Sequence, residues 1–327
     1  MESKDVLLEV KNLRKYYEVR TGVFKKEYVK AVDGVSLTLR RGETLGIVGE
    51  SGCGKSTLGR CILRLDVPTD GEIRYEGQVL TDKNMKDFRQ KMQIVFQDPY
   101  SSLDPRKTVA DIIGEGLDIH KDYKDRNERK RKILRLMNKV GLSSSFYSRY
   151  AHEFSGGQRQ RIGIARALAV NPEFIICDEP VSALDVSIQA QIINNLKSLQ
   201  EENRITYLFI AHDLAVVKHI SDRIAVLYLG HLVEMADSDE IFRNPRHPYT
   251  QMLLSAIPVA DPDRNEKRKR MVLEGEVPSP INPPSGCPFR TRCPYSDTVC
   301  QEKFPELKEF TKDHFTACFH IDRKAVG

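Results

Sequence analysis

The stretch Thr44-Leu-Gly-Ile-Val-Gly49-Glu-Ser-Gly-Cys-Gly54-Lys55-Ser56-Thr57 decides how the chain is read. An apolar run ends in glycine, and a lysine and two hydroxyl residues follow at the spacing G-x-x-x-x-G-K-[ST]. The apolar run predicts a fully buried strand, and the residues after Gly54 predict a helix. Glycines 49, 52 and 54 let backbone N–H groups turn inward around a phosphate, and the helix N-terminus adds the positive end of its dipole. Lys55 then sets a point charge against the β- and γ-phosphates of a nucleotide, while Ser56, with Thr57 beside it, offers a hydroxyl to Mg²⁺. By average residue usage the pattern arises by chance in a chain this long about once in a hundred. It identifies a nucleotide site and leaves the use of the nucleotide open.

Working outward, residues 6–10 read as a short strand, followed by a polar, lysine-rich loop to about residue 30. Val35, Leu37 and Leu39 alternate with polar neighbours, as a half-buried strand requires. Residues 73–78 predict an edge strand turning at Gly77, and 92–96 a second buried strand. From about 98 to 154 the pattern is helical: Ile133, Leu136, Met137 and Val140 share one face, and Gly141 supplies a stop. The basic run at 129–132 reads as a solvated face. Strands then resume at 174–177, 206–211 and 224–229, with a helix to about residue 200 after the first of these. Apolar strands separated by helices imply a parallel sheet with helices on both faces. The helical block is an insertion into that sheet. Beyond about residue 239, Pro245, Pro248, Pro258 and Pro262 precede a charged run at 264–270, and Pro278, Pro280, Pro283 and Pro284 follow. That last quarter reads as a loop-rich appendage.

Phe174-Ile-Ile-Cys-Asp178-Glu179 is an apolar strand ending in two acids. A carboxylate at such a strand end can hold the Mg²⁺ shell, which suits Asp178. Glu179 can poise a water in line with the γ-phosphate as general base. Further along, Phe154-Ser155-Gly156-Gly157-Gln158 opens a helix rich in arginine and alanine. A serine and two glycines at a helix start make a second anion site. One chain has no need of two γ-phosphate sites, whereas two facing chains do, each turn closing over the partner's nucleotide.

With these residues the sequence resembles the nucleotide-binding subunits of ABC transporters, over roughly residues 6–240. The Ser155–Gln158 core is similar to that family's signature, with Phe154 where leucine is more usual. The resemblance implies a P-loop NTPase fold of the α/β class. Its RecA-like parallel sheet core would be joined by an antiparallel β subdomain, an inserted helical subdomain (98–157) and a loop-rich C-terminal extension (241–327). It also implies roles. Gln97 would link Mg²⁺ and the attacking water to the membrane partner, and Asp185 in Ser182-Ala-Leu-Asp185 would cross a dimer interface. His212 would touch the γ-phosphate, and Tyr17, with Tyr16 as fallback, would stack on adenine. No family motif is missing, so the expected activity is ATP hydrolysis in a head-to-tail dimer.

Two further segments resemble the dipeptide, oligopeptide and nickel importer ATPases: Phe96-Gln-Asp-Pro-Tyr-Ser-Ser-Leu-Asp-Pro-Arg106 and Asn244-Pro-Arg-His-Pro-Tyr-Thr250. The implied partners are a sister ATPase or a second copy, two transmembrane permease subunits and, indirectly, a substrate-binding protein, with no nucleic acid. Dipeptides or oligopeptides are the expected cargo, with nickel chelates as the alternative. A non-transport ABC ATPase would bring coiled-coil insertions or two cassettes, and the chain has no heptad array. Cys287, Cys293, Cys300 and Cys318 lie within 32 residues with gaps of five, six and seventeen. Zinc sites favour C-x₂₋₄-C pairs, which are absent here, and wider loops suit a [4Fe–4S] cluster. The resemblance implies such a structural cluster, with zinc, aided by His314 or His320, as the alternative. Cys53, Cys61 and Cys177 read as packing residues.

Composition sets the remaining bounds. The formal charge of +5 is a small difference between 51 basic and 46 acidic residues and reads as ordinary solubility. No stretch reaches the roughly 20 apolar residues needed to cross a bilayer, and the N-terminus lacks the apolar core of a secretory signal. The chain is therefore expected at the cytoplasmic face of the membrane, peripheral, with reduced thiols.

Overall fold

In the computed structural model, which describes residues 6–20, 25–182, 184–257 and 275–321, the chain forms two compact units. Ala183, Pro258, Pro262 and the charged run at 264–270 lie outside the described residues. One unit comprises Met1–Leu39, Thr44–Leu80 and Ala211–Gly327, and the other Arg40–Glu43 and Thr81–Ile210.

The first unit opens with two long strands, β1 (Val6–Arg20) and β2 (Lys26–Arg40), which are neighbours in one sheet. The lysine-rich stretch expected as loop is therefore mostly strand. Its charges sit on exposed or half-buried positions of an antiparallel sheet, so the polar residues conceal the period. β3 (Thr44–Val48) is buried at every position and leads through the glycine loop into α1 (Lys55–Ile62). β4 (Asp70–Tyr75) pairs antiparallel with β1, and a turn at Gly77 returns the chain as β5 (Gln78–Val79). β4 thus lies between β1 and β5, inside the sheet whose edge it was expected to form.

The second unit begins with the short helix α2 (Met85–Phe88) and β6 (Met92–Val95). The helices α3 (Pro99–Ser102), α4 (Val109–His120), α5 (Arg126–Lys139) and α6 (Gly156–Leu168) follow. A reciprocal Thr108–Asp111 cap starts α4, the Asp125 side chain caps α5, and Gly141 (φ +71°) ends it. Ile133, Met137 and Val140 are buried, as their spacing predicts. β7 (Phe174–Asp178) and, after α7 (Val186–Asn203), β8 (Thr206–Ile210) are buried throughout. β6 pairs parallel with β7, and β7 parallel with β8. Because β6 is outermost, Gln93 and Ile94 keep some exposure.

The chain then returns to the first unit through α8 (Leu214–Ile220) and β9 (Arg223–Tyr228), which lies parallel beside β3. β10 (His231–Asp237) folds back antiparallel on β9. Short elements punctuate the described part of the appendage. It contributes α9 (Ser238–Arg243), α10 (Pro248–Ser255), α11 (Thr298–Glu302) and the hairpin β11 (Lys308–Thr311) and β12 (His314–Thr316). β12 pairs with β10, extending the sheet that contains β3 and β9. Among the described residues, no helix is long and apolar enough to cross a membrane.

Candidate nucleotide site

β3 delivers the chain at Gly49 into a loop whose glycines are enforced by backbone. Gly49 has φ +155° and Gly54 φ +102°. A Cβ at Gly49 would collide with the Leu227 carbonyl, and one at Gly54 with the Ala31 carbonyl. Gly52 stands where a side chain would meet open space. Gly54 is the N-cap of α1. No side chain caps this helix and no acid occupies its first turn, so its N–H groups are left for an anion. The Lys55 side chain is buried over the loop, its ammonium donating to the carbonyls of Gly49 (2.8 Å) and Glu50 (3.0 Å). Ser56 and Thr57 lie half-buried on the first turn. A narrow, donor-rich, side-chain-free cradle fits the phosphates of a nucleotide.

Beside α1, the Tyr17 hydroxyl donates to Asp66 at 3.0 Å, and Arg60 holds Asp66 at 2.8 Å. Burial first, and then Asp66, raise the Tyr17 pKa, while a hydrogen bond to Thr57 opposes the shift. Lys15 lies 4.8 Å from the ring centroid. Tyr16 is tied elsewhere: it donates to Asp33 at 2.6 Å, and burial with that bond pushes its pKa up to about 12. The anchoring acids Asp33 and Asp66 escape a motif reading, because their partners are 17 and 49 residues away. His212 follows Ala211, whose N–H donates to Ile47 on β3 at 3.1 Å, so it leaves the sheet beside the strand that feeds the loop.

In the second unit Asp178 ends β7 almost fully buried. Glu179 then adopts φ +44°, in the left-handed region, its N–H donating to Ile210 at 2.9 Å. A glutamate held there stores roughly 1–3 kcal/mol of backbone strain. The structure brings Gln97 onto it: the Gln97 amide donates to the Glu179 carboxylate at 2.8 Å. Ser155 caps α6, reciprocally with Gln158. Gly156 and Gly157 press toward Leu184 and Ile188, where a Cβ on Gly157 would come within 2.8 Å of the isoleucine. Ser155, Gly156, Gly157, Gln158 and Asp185 share one surface depression. Asp185 begins α7 without capping it.

The iron–sulfur expectation is overturned. Among the described residues, the side chains whose ligand atoms gather within 4.8 Å of one another are Asp297, Cys300 and His320, not Cys287, Cys293, Cys300 and Cys318. Among the described residues, none of these four cysteines is in a disulfide. Burial pushes the Cys287 thiol up to about 12 and raises that of Cys318. His314, named for zinc, is taken by Glu234 at 2.7 Å. Packing also supports the appendage: Phe289, 1% exposed, packs on Tyr228 and Tyr249, and β12 joins the sheet. Cys53, Cys61 and Cys177 are buried as packing residues, and burial raises each thiol.

A glycine cradle with its buried lysine, and a serine–glycine helix start with a strained glutamate, together define the class of ATP-binding cassettes. Residues 32–182 match the ABC transporter family, and 233–300 match the oligopeptide/dipeptide transporter C-terminal region. The chain is 56% identical over 322 residues to the Bacillus subtilis oligopeptide transport ATP-binding protein AppF, covering 97% of this chain and 98% of that one. It is 50% identical over 332 residues to the Salmonella typhimurium oligopeptide transport ATP-binding protein OppF, with 98% of each covered. A solved dimeric ATP-binding cassette in a post-hydrolysis state with ADP and Pi superposes with TM-score 0.64. That match is 32% identical and covers 71% of this chain and 99% of the other. The chain belongs to the ABC transporter ATP-binding proteins, in the branch carrying the oligopeptide/dipeptide C-terminal region, and is an ABC ATPase of α/β fold.

Proposed function

We propose that this chain hydrolyses ATP in a head-to-tail dimer to drive uptake of dipeptides or oligopeptides through a membrane permease. Residues 1–240 form the ATPase, with 241–327 as its appendage. The observation that carries hydrolysis is the 2.8 Å hydrogen bond from Gln97 to Glu179. It presets the carboxylate that accepts a proton from the attacking water. In the first unit Tyr17 stacks on adenine, Gly49, Gly52, Gly54, Lys55 and Thr57 hold the phosphates, Ser56 gives a hydroxyl to Mg²⁺, and His212 reads the γ-phosphate. In the second, Asp178 and Gln97 would hold Mg²⁺, while Ser155, Gly156, Gly157, Gln158 and Asp185 would meet the nucleotide of the other cassette. When bound, Mg²⁺ draws charge from the phosphate oxygens.

The second cassette is a sister subunit, and the pair sits peripherally on the cytoplasmic face against two permease subunits, fed by a substrate-binding protein. Peptide cargo is supported by the names of the relatives, oligopeptide transport ATP-binding proteins at 50–56% identity. The test is ATPase activity of the chain reconstituted with its permease. Peptide-loaded binding protein is expected to stimulate it, and stimulation only by a nickel-chelate-loaded one would overturn the cargo. Glu179→Gln is expected to lower turnover about 10²–10⁴-fold while ATP stays bound in a stable dimer, and retained turnover would refute the general base.

A further inference from the structure

The second residue of the phosphate loop is gripped by the C-terminal appendage. The Arg292 guanidinium forks onto the Glu50 carboxylate, at 2.7 Å to Oε2 and 3.0 Å to Oε1. The Glu50 N–H donates to the Tyr249 hydroxyl at 2.9 Å, and the Glu50 carbonyl accepts from Lys55 at 3.0 Å. Backbone donor, backbone acceptor and carboxylate of this one residue are thus all engaged, two of them by side chains about 200 residues or more downstream.

The grip is rigid. The Arg292 side chain is 4% exposed and Tyr249 is fully buried. Tyr228, Tyr249 and Phe289 pack with ring centroids 4.7–5.4 Å apart, and the guanidinium lies 5.9 Å from the Tyr228 ring. The Arg292 N–H donates to the Phe289 carbonyl at 3.0 Å, which ties the fork to that cluster. Such burial strips water from an arginine whose Nε has no hydrogen-bond partner. A carboxylate beside a phosphate cradle repels the anion that the cradle must bind, and a bidentate arginine offsets that charge.

We propose that Arg292 and Tyr249 are positioning residues for the phosphate loop. Arg292 neutralises Glu50 and Tyr249 orients its peptide, so that Lys55 is presented to the nucleotide. The appendage then acts on ATP binding as well as on stability. This inference rests on reading Gly49–Ser56 as the phosphate loop.

The experiment measures equilibrium binding of a fluorescent ATP analogue with Mg²⁺, and the unfolding midpoint without nucleotide, on the full-length chain. The variants are Arg292→Met, Glu50→Gln, their double, Tyr249→Phe and the control Lys55→Ala. Arg292→Met is expected to weaken binding about tenfold, and Glu50→Gln to change it less than about threefold. The double variant is expected to return to the Glu50→Gln value, because the stranded carboxylate is gone. Tyr249→Phe weakens binding a few-fold. If Arg292→Met does not fold, the double variant against Glu50→Gln decides: a double that binds tenfold worse overturns the charge-offset role. An Arg292→Met protein that loses only its unfolding midpoint, with unchanged binding, also overturns the proposal. Lys55→Ala separates the two layers. Unchanged binding there sinks the phosphate-loop reading itself, whereas lost binding there with unchanged binding in Arg292→Met sinks only the inference.

Discussion

The chain makes two glycine-bearing turns for anions, and they are built on different principles. At Gly49–Gly54 the glycines are dictated by the backbone, with positive φ and neighbouring carbonyls where a Cβ would go. The lysine within that loop is buried and already bonded to it. At Ser155–Gly157 the serine is exposed, and the glycines yield to side chains, Leu184 and Ile188. The first is a finished cradle held from behind. The second is an open half-site whose shape is complete and whose occupant comes from outside. A folded chain can therefore lose the second function while keeping the first.

Substitutions should break the two turns differently. Gly54→Ala sets a Cβ against the Ala31 carbonyl at φ +102°. It is expected to cost about 3 kcal/mol or more and to abolish ATP binding, as read by denaturant unfolding and nucleotide titration. The next effect is on pH. His247, behind the loop, caps Tyr249 through Nδ1 at 3.1 Å, and burial lowers its pKa to about 4. The folded state binds this proton less readily than the unfolded state. Stability is therefore full above the ordinary histidine value of 6.5 and falls as pH drops from there to 4. The expected loss is about 3 kcal/mol. Thermal unfolding across that window checks it, and His247→Asn should flatten the profile. Smallest is Ser155→Ala, which loses a helix cap worth about 1 kcal/mol. It should keep ATP binding by the single chain but lose ATP-driven dimerisation, measured by light scattering.

The same contrast explains what was legible in the sequence. β3, β7, β8 and β9 are buried throughout, and an unbroken apolar run announces such a strand directly. Gly49–Ser56 and Ser155–Gln158 are contiguous, so their chemistry can be read without knowing the fold. β1 and β2 were cut short because their charged residues stay in solvent on an antiparallel sheet. β11 is exposed at all four positions and offers no pattern to read. The pairing of Gln97 with Glu179 spans 82 residues and that of Arg292 with Glu50 spans 242, distances over which local pattern carries no information. The cysteine reading failed for the same reason. Spacing along the chain did not reveal which ligand atoms come together among the described residues, those of Asp297, Cys300 and His320 and not of the four cysteines.

The left-handed backbone at Glu179 has a consequence for selection. Glycine or asparagine adopts φ +44° more easily than glutamate does, so either would relax the turn while removing the carboxylate. A library of this protein screened for heat resistance alone should therefore enrich glycine or asparagine at position 179 and drift toward inactive cassettes. Only a screen that also demands turnover would retain the acid. The residue expected to split water is thus also one where evolution for toughness and evolution for work pull in opposite directions.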